Sequence, residues 1–176
     1  MDSHKEQISL WYDQYGEAVF KFIFMMIKDY QQAEDLTQET FVKAYVHIDA
    51  FQEKATPKTW LFTIAHNLTV DFVRKKKPSF LLKELFKKDT TPLPDEMMQM
   101  KEEQFHLYHA IQQLKDSHRK VIMLRKIKEF SIQETADILN WSESKVKSTL
   151  FRALHALERQ LLKGDYQYDS KPRQTQ

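Results

Sequence analysis

Apolar residues recur at three- and four-residue intervals along most of the chain, and each such run predicts a helix with one buried stripe. Over residues 6–28, Ile8, Trp11, Tyr12, Tyr15, Val19, Phe22, Ile23 and Met26 share one broad face. Asp29 is placed to cap a second helix over 30–48, in which Ala33, Leu36, Phe41, Ala44 and Tyr45 turn toward the first helix. Glu34, Asp35, Gln38 and Glu39 crowd its outer side. Residues 51–56 read as a loop. Thr56 as cap and Pro57 at the first helical position then open a third helix, which reaches about residue 76 and buries Trp60, Leu61, Ile64, Leu68 and Phe72. Its polar positions include His66, Asn67, Asp71, Arg74, Lys75, Lys76 and Lys77. Pro78 is expected to end it, because proline removes a backbone donor and crowds the preceding turn.

The second half carries a shorter-range pattern. Helices are expected over 96–114 and over 118–128, the latter capped by Asp116 or Ser117. Ser131, Ile132, Gln133 and Glu134 form a capping box, with the Ser131 hydroxyl set to accept from the Glu134 N–H and the Glu134 carboxylate set to reach back. Asn140 stands where a left-handed residue ends a helix, and Ser142 can cap the next one. In that last helix Val146, Leu150, Ala153, Leu154, Leu157 and Leu161 make the apolar stripe, while Lys145, Ser148, Thr149 and Arg152 lie off it. Two helices, a tight turn and a small basic outer face match the helix-turn-helix layout, whose second helix enters the major groove of DNA by its N-terminal end. An ordinary helical hairpin with a solvated face satisfies the same spacing. Gly164 is expected to close the helix, and the polar residues 165–176 to form a disordered tail.

Composition narrows the class. With 41% hydrophobic and 30% charged residues, two glycines and no cysteine, a sheet, a glycine-rich phosphate loop, a disulfide framework and a thiolate metal site are all disfavoured. The expected fold is all-α, two small helical domains joined by a flexible linker: 1–77, linker 78–94, 95–164, then the tail. The longest apolar run, residues 22–27, is far short of the roughly 20 residues a membrane-spanning helix needs, and no signal segment opens the chain. A cytoplasmic protein is expected. The basic amphipathic patch at 80–88 is read as linker, with a membrane-surface helix as its alternative.

Charge alternates in blocks. Residues 1–50 carry four basic and nine acidic groups, net −5, and residues 51–88 nine and three, net +6. Residues 89–114 are net −4 and residues 115–163 net +5. Acidic blocks repel phosphate within a Debye length of roughly 8 Å, so two DNA-facing and two protein-facing surfaces fit better than a purely nucleic-acid-binding chain. No catalytic constellation accompanies them. His106 and His109 share a helix face without a third ligand nearby, the pairs Glu34–Asp35 and Glu102–Glu103 are sequence neighbours that diverge on a helix surface, and no nucleophile turn is present. Neither an enzyme, a metal site nor a cofactor is expected.

The segment Ala33-Glu34-Asp35-Leu36-Thr37-Gln38-Glu39-Thr40-Phe41-Val42-Lys43-Ala44-Tyr45 resembles the polymerase-binding motif of bacterial sigma factors. Trp60-Leu61, Ile64-Ala65, Asn67, Asp71 and Arg74 resemble the promoter-melting helix of that family, and the helix-turn-helix completes its order. Two helical domains without a third between them resemble the extracytoplasmic-function (ECF) group, over roughly residues 10–162.

The resemblance implies a sigma factor that binds core RNA polymerase and directs initiation at minus-ten and minus-thirty-five elements. It implies that Asp35, Gln38, Glu39 and Phe41 meet the clamp helices of the largest subunit. Phe51, Thr56, Lys58, Trp60, Asn67, Arg74, Lys75 and Lys76 would serve the minus-ten element, the 51–56 loop capturing a flipped base beside Asn67. Ser131, Ser144, Lys145, Lys147, Ser148, Thr149 and Arg152 would serve the minus-thirty-five element. Implied partners are the clamp helices, the flap region of the second-largest subunit, promoter DNA both double-stranded and melted, and an anti-sigma factor, often membrane-anchored in this family.

Departures from the family pattern are Lys115 where a proline is usual, Lys128-Glu129 in place of a glycine turn, Asn140 for glycine, Ser144-Lys145 for glycine-threonine, and Thr149 for arginine. A stand-alone helix-turn-helix regulator would need a two-fold dimer to read half-sites, and a protein-binding adaptor would leave the basic blocks without a role.

Overall fold

The computed structural model describes residues 2–86 and 100–169, and side-chain environments for residues 2–76 and 100–164. Helix α1 spans Ser3–Ile27, begun by the Asp2 carboxylate on the His4 N–H and ended by Lys28 in the left-handed region, φ 55°. One residue later the Asp29 carboxylate accepts from the Gln32 N–H at 3.1 Å and starts α2, Tyr30–Val46. Two capping residues therefore reverse the chain, and α1 and α2 pack as a hairpin. A 3₁₀ turn, Ile48–Ala50, leads to the 51–56 loop. The Thr56 hydroxyl then accepts the Thr59 N–H at 3.2 Å, and α3 runs Pro57–Phe86 across both earlier helices.

Helix α3 passes through Pro78, which the sequence marks as its end. Proline forfeits one bond of the helical ladder, whereas Leu81, Leu82, Lys83, Glu84 and Leu85 beyond it are all strong helix formers. The segment assigned as linker thus begins as helix. The rest of it, and the start of the helix expected from residue 96, lie outside the described residues.

The C-terminal bundle consists of α4 (Glu102–Gln112), α5 (Asp116–Ile122) with a π-helical turn Met123–Ile127, α6 (Ile132–Leu139) and α7 (Glu143–Asp169). Neither Asp116 nor Ser117 caps α5: Lys115 is its N-cap and makes no side-chain cap bond. Helix α7 carries through Gly164, which is not in the left-handed region and so sets no stop.

Four details of the apolar stripes differ from their periodicity. Tyr12 and Tyr45 lie at the surface, Tyr45 donating its hydroxyl to Asp2, and Leu154 is also exposed. Conversely the whole run from Phe22 to Ile27 is buried. A lone amphipathic helix buries one stripe, so all-round burial requires a second neighbour. Helix α3 is one such neighbour beyond α2, and the C-terminal bundle, whose Gln112 and Arg119 reach the Met25 and Met26 carbonyls, is another. Phe22 and Phe62 pack at 5.3 Å between centroids, Phe62 meets Phe130 edge to face at 4.9 Å, and one continuous core includes both bundles.

Candidate polymerase and nucleic-acid surfaces

Helix α2 presents Asp35, Gln38 and Glu39 to solvent, while Phe41 is 4% exposed and packs against Tyr12 at 5.0 Å. Phe41 is therefore the core residue that its place on the apolar stripe predicts, and not the surface contact that the resemblance implies. Turned by the helical period onto the same outer side, Val42 and Val46 stand 60% and 64% exposed. The periodicity leaves them aside because it identifies what is buried; their exposure beside three polar residues makes the ridge partly apolar.

The second surface gathers around the 51–56 loop. Trp11, Phe51 and Trp60 form an aromatic cluster, with centroids 5.1 Å apart for Phe51 and Trp60 and 5.5 Å for Trp11 and Phe51. Beside it lies a cavity of about 670 Å³, bounded by Gln7 and Trp11 of α1, Ile48, Phe51 and the loop residues up to Pro57. Glu53 takes a φ of 53° there, a backbone conformation that a non-glycine residue adopts at some cost. Asn67 is exposed and two helical turns beyond Trp60, outside the residues bounding that cavity. Farther along α3, Arg74, Lys75 and Lys76 are exposed, Arg74 paired with Asp71 at 2.9 Å and Lys76 over the Phe72 ring. Lys58 is turned elsewhere: its ammonium donates to the Lys128 carbonyl at 3.0 Å and sits 4.7 Å above the Phe130 ring.

The third surface is the helix-turn-helix. Both arms of the capping box are present, Glu134 N–H to Ser131 Oγ at 3.0 Å and Ser131 N–H to Glu134 Oε2 at 2.7 Å. Asn140 is left-handed, with φ 55° and ψ 47°, and the Trp141 N–H closes on the Ala136 carbonyl at 2.9 Å. Ser142 Oγ accepts the Lys145 N–H at 3.1 Å. On α7, Ser144, Lys145, Lys147, Ser148 and Arg152 are exposed, and Lys145 lies 4.1 Å over the Trp141 ring, which limits its freedom before any partner arrives. Thr149 is 3% exposed and belongs to the core side of α7, not to the outward face where the sequence places it. Burial pushes the pKa of His118 below its ordinary value, and Lys115, Arg152 and Arg159 add to the shift through their positive field.

Among the described residues no three His, Cys, Asp or Glu side chains converge as a metal site, and no helix is long and apolar enough to cross a membrane.

An exposed ridge of acidic and apolar residues on one bundle and a capped helix-turn-helix on the other are the layout of a DNA-reading transcription factor. Comparison gives its family. Residues 11–78 match sigma-70 region 2, and residues 105–157 match sigma-70 region 4. The ECF RNA polymerase sigma factor SigX of Bacillus subtilis is 36% identical over 89% of this chain and 84% of its own length. SigM of the same organism is 37% identical over 84% and 90%. Among solved structures, the sigma factor RpoE of Bartonella quintana, in complex with the anti-sigma factor NepR, superposes with a TM-score of 0.75 at 25% identity, covering 90% of this chain and 98% of its own.

The chain belongs to the ECF group of the sigma-70 family of RNA polymerase sigma factors. It binds core RNA polymerase, directs transcription initiation and contacts DNA through its region 4 helix-turn-helix, without enzymatic activity of its own.

Proposed function

We propose that the three surfaces divide the work of initiation. The observation that carries the division is the outward face of α7, where Ser144, Lys145, Lys147, Ser148 and Arg152 are exposed directly after a capped left-handed turn. With Ser131 at the start of α6, that face reads the minus-thirty-five element, Arg and Lys serving base edges or phosphates and the serines accepting or donating as the sequence demands. Asp35, Gln38 and Glu39, flanked by Val42 and Val46, dock on the clamp helices of the largest polymerase subunit. The C-terminal bundle also meets the flap region of the second-largest subunit.

Phe51, Thr56, Trp60 and Asn67 serve the minus-ten element. A base taken out of the duplex costs a few kcal/mol to unstack, which aromatic contact and edge hydrogen bonds must offset. The Trp11, Phe51 and Trp60 cluster supports this reading, and Arg74, Lys75 and Lys76 follow the phosphates. Lys58 joins them once released from Lys128. The assignment 1–77 and 95–164 for the two functional units, with the connection between them, belongs to the same reading, as does action in the cytoplasm. RpoE is held by NepR in the solved complex, and a comparable anti-sigma factor is proposed to control this chain.

Transcription by core polymerase from a pool of randomised promoters, with this chain as sole specificity factor, tests the division. Selected promoters should share two separated elements. With Asn67→Ala, selectivity should relax at one minus-ten position only; an even loss over all positions removes Asn67 from base reading.

A further inference from the structure

The basic face of α7 runs farther than the end of that helix that enters the groove. Lys145, Ser148, Arg152, His155 and Arg159 recur at three- and four-residue spacing, and all are exposed. At a rise of about 1.5 Å per residue the stripe from Lys145 to Arg159 is about 21 Å long, whereas the major groove of B-form DNA is only about 12 Å wide and 8.5 Å deep. A helix that enters the groove by its N-terminal end therefore carries Arg152 and Arg159 out to the groove wall, where the phosphates stand.

A third cation joins them from the neighbouring helix. Helix α5 packs along α7, and Lys115, its N-cap, is exposed. Lys115, Arg152 and Arg159 converge on His118, which is 8% exposed: after burial, the positive field of each one disfavours the charged form of that imidazole. The other cations of α5 are engaged elsewhere, Arg119 with the Leu114 carbonyl at 2.9 Å and Lys120 with Asp116 at 2.8 Å. Lys115, Arg152 and Arg159 have no ion-pair partner among the described residues. Three like charges gathered about one buried ring repel one another, and an anion brought among them removes that cost.

We propose that Lys115, Arg152 and Arg159 form one site for the DNA backbone beside the minus-thirty-five element, in which Lys115 and Arg159 hold phosphates without reading sequence. It rests on the reading of α7 as the helix in the groove, and extends that reading to two residues it does not use. Lys115 comes from a helix packed about 8–10 Å to the side of α7, so with Arg159 it spans more than one phosphate along a strand, where charges recur about every 3.4 Å. DNA fits this site better than an acidic protein surface because the site continues the stripe that Lys145 and Ser148 begin. Phosphate contacts of this kind fix the register and tilt of the helix that reads the bases. Lys115 stands where a proline is usual in the family, and a proline makes no such contact.

Promoter binding by the complex of core polymerase and the full-length chain, followed over a salt series, is the first test. Lys115→Ala and Arg159→Ala should each lower the slope of log K against log salt by roughly 0.9, and each should weaken a promoter and its minus-thirty-five variants by the same factor. Unchanged slopes in both variants, or a loss confined to one base position, overturn the proposal. The second test replaces single phosphates flanking the minus-thirty-five element by uncharged methylphosphonates. At one position or more the replacement should weaken the wild-type complex and leave the double variant, Lys115→Ala with Arg159→Ala, unaffected. Equal weakening of both proteins at every position overturns it. Core association is measured in parallel, and a loss there that accounts for the whole effect assigns the two cations to polymerase and overturns it as well. Lys145→Ala separates the two levels. If it too leaves promoter binding unaltered, the groove reading of α7 fails together with this site; if it weakens binding while Lys115→Ala and Arg159→Ala do not, only the backbone site fails.

Discussion

Phe62 of α3 and Phe130, just before α6, meet edge to face with their centroids 4.9 Å apart, at a relative tilt of 66°. Both rings are buried, Phe62 also touching Phe22 of α1. This pair joins the hydrophobic core of one bundle to that of the other. Such geometry contributes about 0.5–1.5 kcal/mol beyond area burial. A double-mutant cycle with Phe62→Leu and Phe130→Leu should therefore return a coupling energy in that range, from urea unfolding of the free chain. Strict additivity would mean that the rings do not touch in solution.

Charge reversal on the α2 ridge should separate binding from folding. Asp35 and Glu39 are exposed, so Asp35→Lys with Glu39→Lys should leave stability within about 0.5 kcal/mol per site. Co-purification with core polymerase should be abolished, because complementary charge sets encounter and register. Wild-type stoichiometry in the double variant would remove the ridge from the interface. Val42→Ser and Val46→Ser should weaken the same association without altering its salt dependence.

On α7, Lys145 and Arg152 are exposed and Thr149 is not. If Lys145→Ala or Arg152→Ala removes a cation from a DNA phosphate, the slope of log K against log salt should fall by roughly 0.9 for each; if it removes a hydrogen bond to a base edge, binding should weaken by about 1–3 kcal/mol at one promoter position. Thr149→Val should leave both quantities unchanged. Binding of the polymerase complex to promoter DNA over a salt series, repeated with each promoter position varied, measures all three, and an unaltered slope together with unaltered affinity at every position in both cation variants would take this helix out of the groove.

His66 gives the chain an acid-sensitive point. It is 8% exposed, its Nδ1 has no hydrogen-bond partner among the described residues, and its pKa is lowered from 6.5 to about 4, first by burial and then by the Lys120 charge, against a bond to Asn67 and the Asp116 carboxylate. The folded value lies below the unfolded one, so the neutral ring is favoured on folding. Its contribution is complete above about pH 6.5 and is lost as pH falls toward 4, by up to about 3 kcal/mol. His66→Gln should flatten that part of the stability profile. Parallel profiles for the two proteins between pH 6.5 and 4.5 would assign the effect to other groups.

The capping signals were legible in the chain because they are local. Asp29, Thr56, Ser131 and Ser142 each bond a backbone N–H three residues away, and Asn140 adopts the left-handed geometry that its short amide tolerates. The helix-turn-helix, the acidic outer side of α2 and the all-helical class follow from such short-range rules. The ends of α3 and α7 were not legible: strong helix formers beyond Pro78 outweigh its average cost, and Gly164 does not adopt the left-handed conformation that would stop α7, since an average cost does not decide a particular helix.

Which polar or apolar residue is finally buried was decided by the tertiary structure. Thr149 is shielded from solvent because neighbouring helices cover it, whereas Tyr12, Tyr45 and Leu154 stay exposed at the margins of the stripes. Periodicity locates a stripe's centre but not its width, since width depends on how many helices converge there. The same physics explains Phe22 to Ile27. In the sequence, periodicity puts Phe22, Ile23 and Met26 on the buried face and leaves Phe24, Met25 and Ile27 without a partner; in the fold the whole run is buried, with Gln112 and Arg119 bonded to the carbonyls of Met25 and Met26. Local sequence determined the helices, their caps and the chemistry of their outer faces. Contacts spanning more than eighty residues decided how those faces were shared, because burial and interhelical hydrogen bonds are properties of the assembled surfaces.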